Sequence, residues 1–295
     1  MIDNESSRKS PPTLAPYIDS DEAGTCITVN QRLARALRNT FDAERLSEGL
    51  LSWETPDILP FSAWLQRSWE EYRDRSKKPL PVLLGPFQEH ALWDRIIRET
   101  QEPTEVALLQ VSSAAQHAMD AWARIKGWRV PEQEYRAPWD EDARAFSHWA
   151  KVFVRLCRTH NWTDPGSALD ALIEAIRAKE IDIPKRFILA GFDEFTPRQQ
   201  DLLETLGNSG TQITHWAPQP YRNTRHSGCV RICLADEEKE LEAAARWARA
   251  LIERGVAGPI GIVIPALTGM RSAVLRVFDG ILRPEAKYAI EELDT

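Results

Sequence analysis

The chain has 295 residues, enough for one large or two modest domains with real cores. It is 43% hydrophobic and 27% charged, the balance of a globular protein, and its net charge of -7 excludes the overall basic field of a dedicated nucleic-acid binder while leaving room for a local basic groove. No run approaches the length of a membrane span, the start MIDNESSRKSPPTLAP is too polar for a secretory signal, and Cys26, Cys157, Cys229 and Cys233 form no CxxC pair, so the expectation is a cytoplasmic protein with no membrane association, zinc site or disulfide framework.

In chain order, residues 1–23 are rich in Ser, Pro, Asp and Glu with few apolar anchors and read as a flexible tail. Thr25 to Val29 reads as a first strand, and QRLARALRNTF as a helix whose Leu33, Ala36, Leu37 and Phe41 share a face; a nucleotide-binding loop would sit at this strand, turn and helix. Residues 61–180 then read as a helical insertion. Phe61, Trp64, Leu65, Trp69 and Tyr72 recur at spacings of three and four, and Phe146, Trp149, Phe153 and Leu156 repeat the pattern. Such stripes serve either as core or as stacking platforms for single-stranded bases, and their inward position on each helix favours core. His90, His117, His148 and His160 fall on different predicted helices without metal-ligand spacing.

The clearest unit follows. Phe187 to Gly191 is an apolar run closed by glycine, a buried parallel strand. Thr196 can cap the next helix, Pro197 suits its first position, Leu202, Leu203 and Leu206 supply its inward face, and Gly207 ends it. Beyond it, 211–216 alternates as a strand, 217–228 is a polar loop, and 230–234 and 260–264 read as two more strands around the helix EEKELEAAARWARALIE, with Cys229 and Cys233 as small core residues. A last helix is expected over 268–282. The fold class is therefore α/β: a mostly parallel sheet with strands near 26–29, 187–190, 211–216, 230–234 and 260–264, its core built from 24–60 and 181–295, interrupted by a large all-helical insertion at 61–180.

The central stretch, FILAGFDEFTPRQQDLL, resembles the Walker B unit of superfamily 1 helicases, and more closely the helicase-like N-terminal half of AddB/RecC-type subunits and the related DNA repair proteins, where GFxEFTPxxQxxLL is typical. TVNQRLARALR followed by WETPDILPFSAWLQRSW, and the later succession of a glutamate-led helix and the strand IGIVIP, are similar to the same family in the same order. The resemblance implies a P-loop-NTPase-like topology with a helical subdomain. It implies a role in double-strand-break repair, as a scaffold that guides single-stranded or forked DNA beside a helicase-nuclease partner subunit. Full members are longer and carry a PD-(D/E)XK exonuclease domain that nothing here matches, so the sequence reads as a fragment.

The motor chemistry is missing from the residues themselves. A P-loop needs glycines, a lysine and a hydroxyl at fixed spacing, yet starting the pattern at Gly24 puts Val29, Asn30 and Gln31 at the required Gly, Lys and Ser/Thr. No glycine occurs between Gly24 and Gly49 and no lysine between Lys9 and Lys77. Laying Pro197 and Gln199 on the helicase pattern drops its acidic pair on Ala190 and Gly191, while Asp193 and Glu194 fall beyond the strand end. Arg32 or Arg35 can supply charge but not the compact lysine position. The expectation is no catalytic residue, no metal and no cofactor, with weak anion binding at most at the helix N-terminus near Asn30. DNA contact is assigned to Arg222 and Arg225 of the loop 217–228. Two alternatives remain open: an active ATP-dependent superfamily 1 helicase module, and a helix-rich interaction protein without a DNA role.

Overall fold

The computed structural model describes residues 24–100, 110–131, 134, 141–216, 230–256 and 260–284. Those up to 216 belong to one compact unit and those from 230 to another. No helix among the described residues is long and apolar enough to cross a membrane.

The first unit is built on a four-stranded, all-parallel sheet in the order β2-β1-β5-β6, from β1 (Gly24–Thr28), β2 (Ile58–Pro60), β5 (Arg186–Ala190) and β6 (Gln212–Trp216). β1 and β5 pair from Gly24↔Arg186 to Thr28↔Ala190, so the first strand and the central strand read from the sequence lie side by side. Both central strands are buried on both faces, which a parallel sheet requires of the helices around it. On one face Cys26, Ile58, Ile188 and Ala190 meet α1 (Gln31–Ser47) through Ala34 and Leu37. On the other, Ile27, Phe187 and Leu189 meet α2 (Phe61–Arg75), α6 (Pro165–Arg177) and α7 (Pro197–Asn208). The alternation of partners along each strand follows from the two-residue period of the pleat. Each large apolar side chain so buried contributes roughly 1.5–3 kcal/mol.

Between these elements lie α3 (Pro86–Thr100), α4 (Val111–Gly127) and α5 (Glu141–His160), which enclose a second core. The aromatic stripes are its substance: Trp93 is fully buried and stacks on Phe153 with centroids 4.4 Å apart, and Trp122 meets Phe153 edge-on at 5.7 Å. The insertion is not wholly helical, because β3 (Val82–Leu83) pairs in parallel with β4 (Trp162–Thr163). Its outer helices α2 and α6 also pack on the sheet, so the aromatic stripe of α2 fills the sheet-side core through Trp64, Leu65 and Trp69.

The second unit is a helical hairpin, α8 (Glu237–Glu253) and α9 (Leu267–Leu282), joined across its length by Arg276 Nη1 to Glu238 Oε1 at 3.0 Å and by Arg249 Nη1 donating to the Ile281 carbonyl at 2.9 Å. Asp236 caps α8 by accepting from Lys239 N at 2.8 Å, and three glutamates fill its first turn. The expected strands at 230–234 and 260–264 are absent: both segments are irregular chain without ladder partners. Val230 is 74% exposed, Ile232 67% and Val263 91%, so apolar composition was present but no neighbouring strand was there to pair with. Cys233 is likewise exposed rather than a core residue. Cys229 lies outside the described residues.

Candidate functional site

Leaving β1, the chain builds β2 on one side and returns through the helices to place β5 on the other, so the topological switch point lies between β1 and β5. Ligands of open parallel sheets bind in the crevice beyond the strand ends at such a point. Here side chains fill the turn beyond the strand ends, although Val29 and Gly191 stay exposed. Val29 N donates to the Ala190 carbonyl at 3.2 Å and carries the ladder past the strand ends. Gly191 has φ +78°, and a Cβ built on it would lie 2.5 Å from Leu33 Cδ2 and 3.3 Å from Val29 Cγ1, so both side chains rest directly on its backbone. The N-terminus of α1 is occupied by its own cap, Asn30 Oδ1 accepting from Leu33 N at 2.9 Å, and Thr28 Oγ1 donates to the Asn30 carbonyl at 2.9 Å. Arg32 and Arg35 point to solvent.

Past β5, the residues 191–196 form an irregular loop into α7. A capping box closes it: Gln199 N donates to Thr196 Oγ1 at 3.3 Å, and Thr196 N donates to Gln199 Oε1 at 2.9 Å. Phe192 and Phe195 stack at 5.0 Å and hold the loop against the sheet-side core. Asp193 and Glu194 are exposed in this loop, beyond the strand end. Arg222 and Arg225, the residues assigned to DNA, lie outside the described residues.

The charged chemistry collects elsewhere, in a cleft of about 620 Å³ between α4, α6 and α7. Its floor is Arg198, at the start of α7 and only 6% exposed. Arg198 Nη2 lies 2.9 Å from Asp170 Oδ2, while Nε and Nη1 have no partner among the described residues. The guanidinium passes under the first turn of α6, where a Cβ on Gly166 would come 2.6 Å from Nη1, so this position requires glycine. Burial pushes the Arg198 pKa down, Asp170 and Asp164 pull it up, and the neighbouring Arg129 pushes it down again. At the rim, Arg129 and Arg177 both donate to the Asp201 carboxylate, and Arg177 Nη1 also donates to Glu174 Oε1 at 2.6 Å. Lys126 lies over the Trp122 ring at 5.5 Å. Sequence reading missed this site because its members come from three distant helices. One local signal existed: Arg198, Leu202 and Leu206 are spaced by four, which puts the arginine on the buried face of α7.

At the opposite end of the strands Asp57 accepts two bonds from Arg67, at 2.7 and 2.9 Å, and one from Thr25 Oγ1 at 2.7 Å. Burial alone would raise its pKa, but these bonds outweigh it and hold the carboxyl below its ordinary range. The fork ties β1, β2 and α2 together and leaves little acceptor capacity for a ligand. Compared with known proteins, the chain matches no family model, and no curated protein is significantly similar to it.

Proposed function

We propose that this chain is a helicase-like region without motor chemistry, a scaffold of the AddB/RecC type that guides single-stranded or forked DNA and holds a helicase-nuclease partner subunit. The observation that carries the reading is the filled turn at the switch point. A phosphate-binding turn needs free backbone N–H groups and room for phosphate, whereas Asn30 takes one first-turn donor, that of Leu33, and the Leu33 and Val29 side chains lie against Gly191. The parallel neighbours β1 and β5, in the places where the resemblance puts the phosphate-loop and Walker B strands, support the P-loop-like topology. The exposed apolar side chains of the second unit, Val230, Ile232, Trp247 and Val263 among them, support a surface that a partner subunit covers.

The DNA part of the reading is tested by titrating a labelled single-stranded and a forked oligonucleotide at low and moderate salt. Affinity is expected to fall with salt, and Arg222→Ala with Arg225→Ala to weaken binding and reduce the salt slope. Binding that is absent, or that ignores both salt and the double substitution, favours the helix-rich interaction protein without a DNA role.

A further inference from the structure

Four cations, Lys126, Arg129, Arg177 and Arg198, line the cleft between α4, α6 and α7 against three carboxylates, a surplus of one positive charge in a chain whose net charge is -7. A surface that is acidic overall repels anions, so a concave exception is where an anion would lodge. The arrangement is also unfinished. Arg129 and Arg177 share one carboxylate, Asp201, although each guanidinium has more donors than those bonds use. Beneath them Arg198 is buried, hydrogen-bonded to Asp170 at one nitrogen and acted on by the Asp164 charge as well, while its Nε and Nη1 donors have no partner among the described residues.

We propose that this cleft is an oxyanion site for a phosphate group. A planar carboxylate is satisfied by one or two guanidinium forks, and Asp201 already is. A tetrahedral phosphate presents acceptors in more directions and can engage the rim arginines from α4 and α6 together, with Lys126 beside them. In this scheme Asp201 holds the two arginines in place and swings aside, or is shared, when phosphate enters. The cavity volume lies in the range of small-ligand sites and exceeds a bare ion, and Ile125, Val130 and Ile173 give it an apolar wall. The phosphate therefore comes either from a nucleic-acid strand or from a free phosphate compound. This inference does not rest on the helicase-like reading.

The test is calorimetric titration of the full chain with inorganic phosphate and, separately, with a short oligothymidylate at low salt. Asp201→Asn removes the competing carboxylate and is expected to tighten phosphate binding several-fold, a gain that misfolding cannot imitate. Arg129→Gln with Arg177→Gln is expected to weaken it roughly tenfold or more. Oligothymidylate binding that shows the same two responses and is competed by phosphate identifies a strand backbone as the source; phosphate binding alone identifies a free phosphate compound. The proposal is overturned by no binding of either probe up to about 10 mM phosphate. It is equally overturned by folded Asp201→Asn protein that binds no tighter, or by oligothymidylate binding indifferent to both variants.

Discussion

Two concavities of the first unit divide the features that one would look for in a single site. The crevice beyond β1 and β5 has the topology of a ligand site, but Leu33 and Val29 are packed against Gly191 there. The cleft between α4, α6 and α7 has no topological claim, yet it holds open volume, clustered arginines and a buried guanidinium with unused donors. Topology thus marks where a fold of this kind can bind, and side-chain packing decides whether it does.

The largest effect on stability is expected at the crevice. Gly191→Ala puts a Cβ where Leu33 and Val29 already lie and demands φ +78° of a non-glycine residue. A loss of about 2–4 kcal/mol follows, with overpacking and backbone strain adding. Urea unfolding measures it; a change below about 1 kcal/mol would mean that the crevice is loosely packed and that the contrast with the cleft is overstated.

A second difference is pH sensitivity. Glu89 of α3 is 5% exposed, and burial, with the nearby Asp164 carboxylate adding, pushes its pKa from the ordinary 4.5 up to about 7. The same two carboxylates, after burial itself, raise the Cys157 thiol to about 12, so these are the ionisable groups that face one another here. Because the folded state holds the Glu89 proton more tightly, the stabilisation is complete below about pH 4.5 and is lost as pH rises through about 7. The protein should lose on the order of 2–3 kcal/mol between about pH 5 and pH 8, and Glu89→Gln should flatten that slope. Asp57 has the opposite sign: its depressed pKa stabilises above its ordinary value and is lost on acidification, in a lower pH range than Glu89. A Glu89→Gln protein with the wild-type pH profile would remove Glu89 as the cause.

What was legible in the sequence was local. The strand Arg186–Ala190 announced itself as an apolar run ending in glycine, and the capping box of α7 was visible in Thr196, Pro197 and Gln199, because each depends on residues a few positions apart. The segment 230–234 carries a similar apolar signal but forms no strand, since pairing depends on a neighbour that the segment itself does not encode. β2 is the converse case: its three residues, Ile58–Pro60, are too few to stand out and become a strand only as an edge beside β1. The cleft was illegible because residues from 126 to 201 meet only after α4, α6 and α7 pack. The aromatic stripes, by contrast, gave both the helices and their buried faces, since side chains of that size leave few other places to go.

Whether the crevice does motor chemistry is decided by magnesium-ATP titration in a calorimeter, run on the wild type and on Asp193→Ala with Glu194→Ala. No magnesium-dependent ATP binding at micromolar strength is expected in either protein, any residual nucleotide affinity being weak, independent of magnesium and sensitive to the rim arginines of the cleft instead. Micromolar, magnesium-dependent binding with DNA-stimulated turnover that the double substitution abolishes would contradict the account and make this chain an active helicase module.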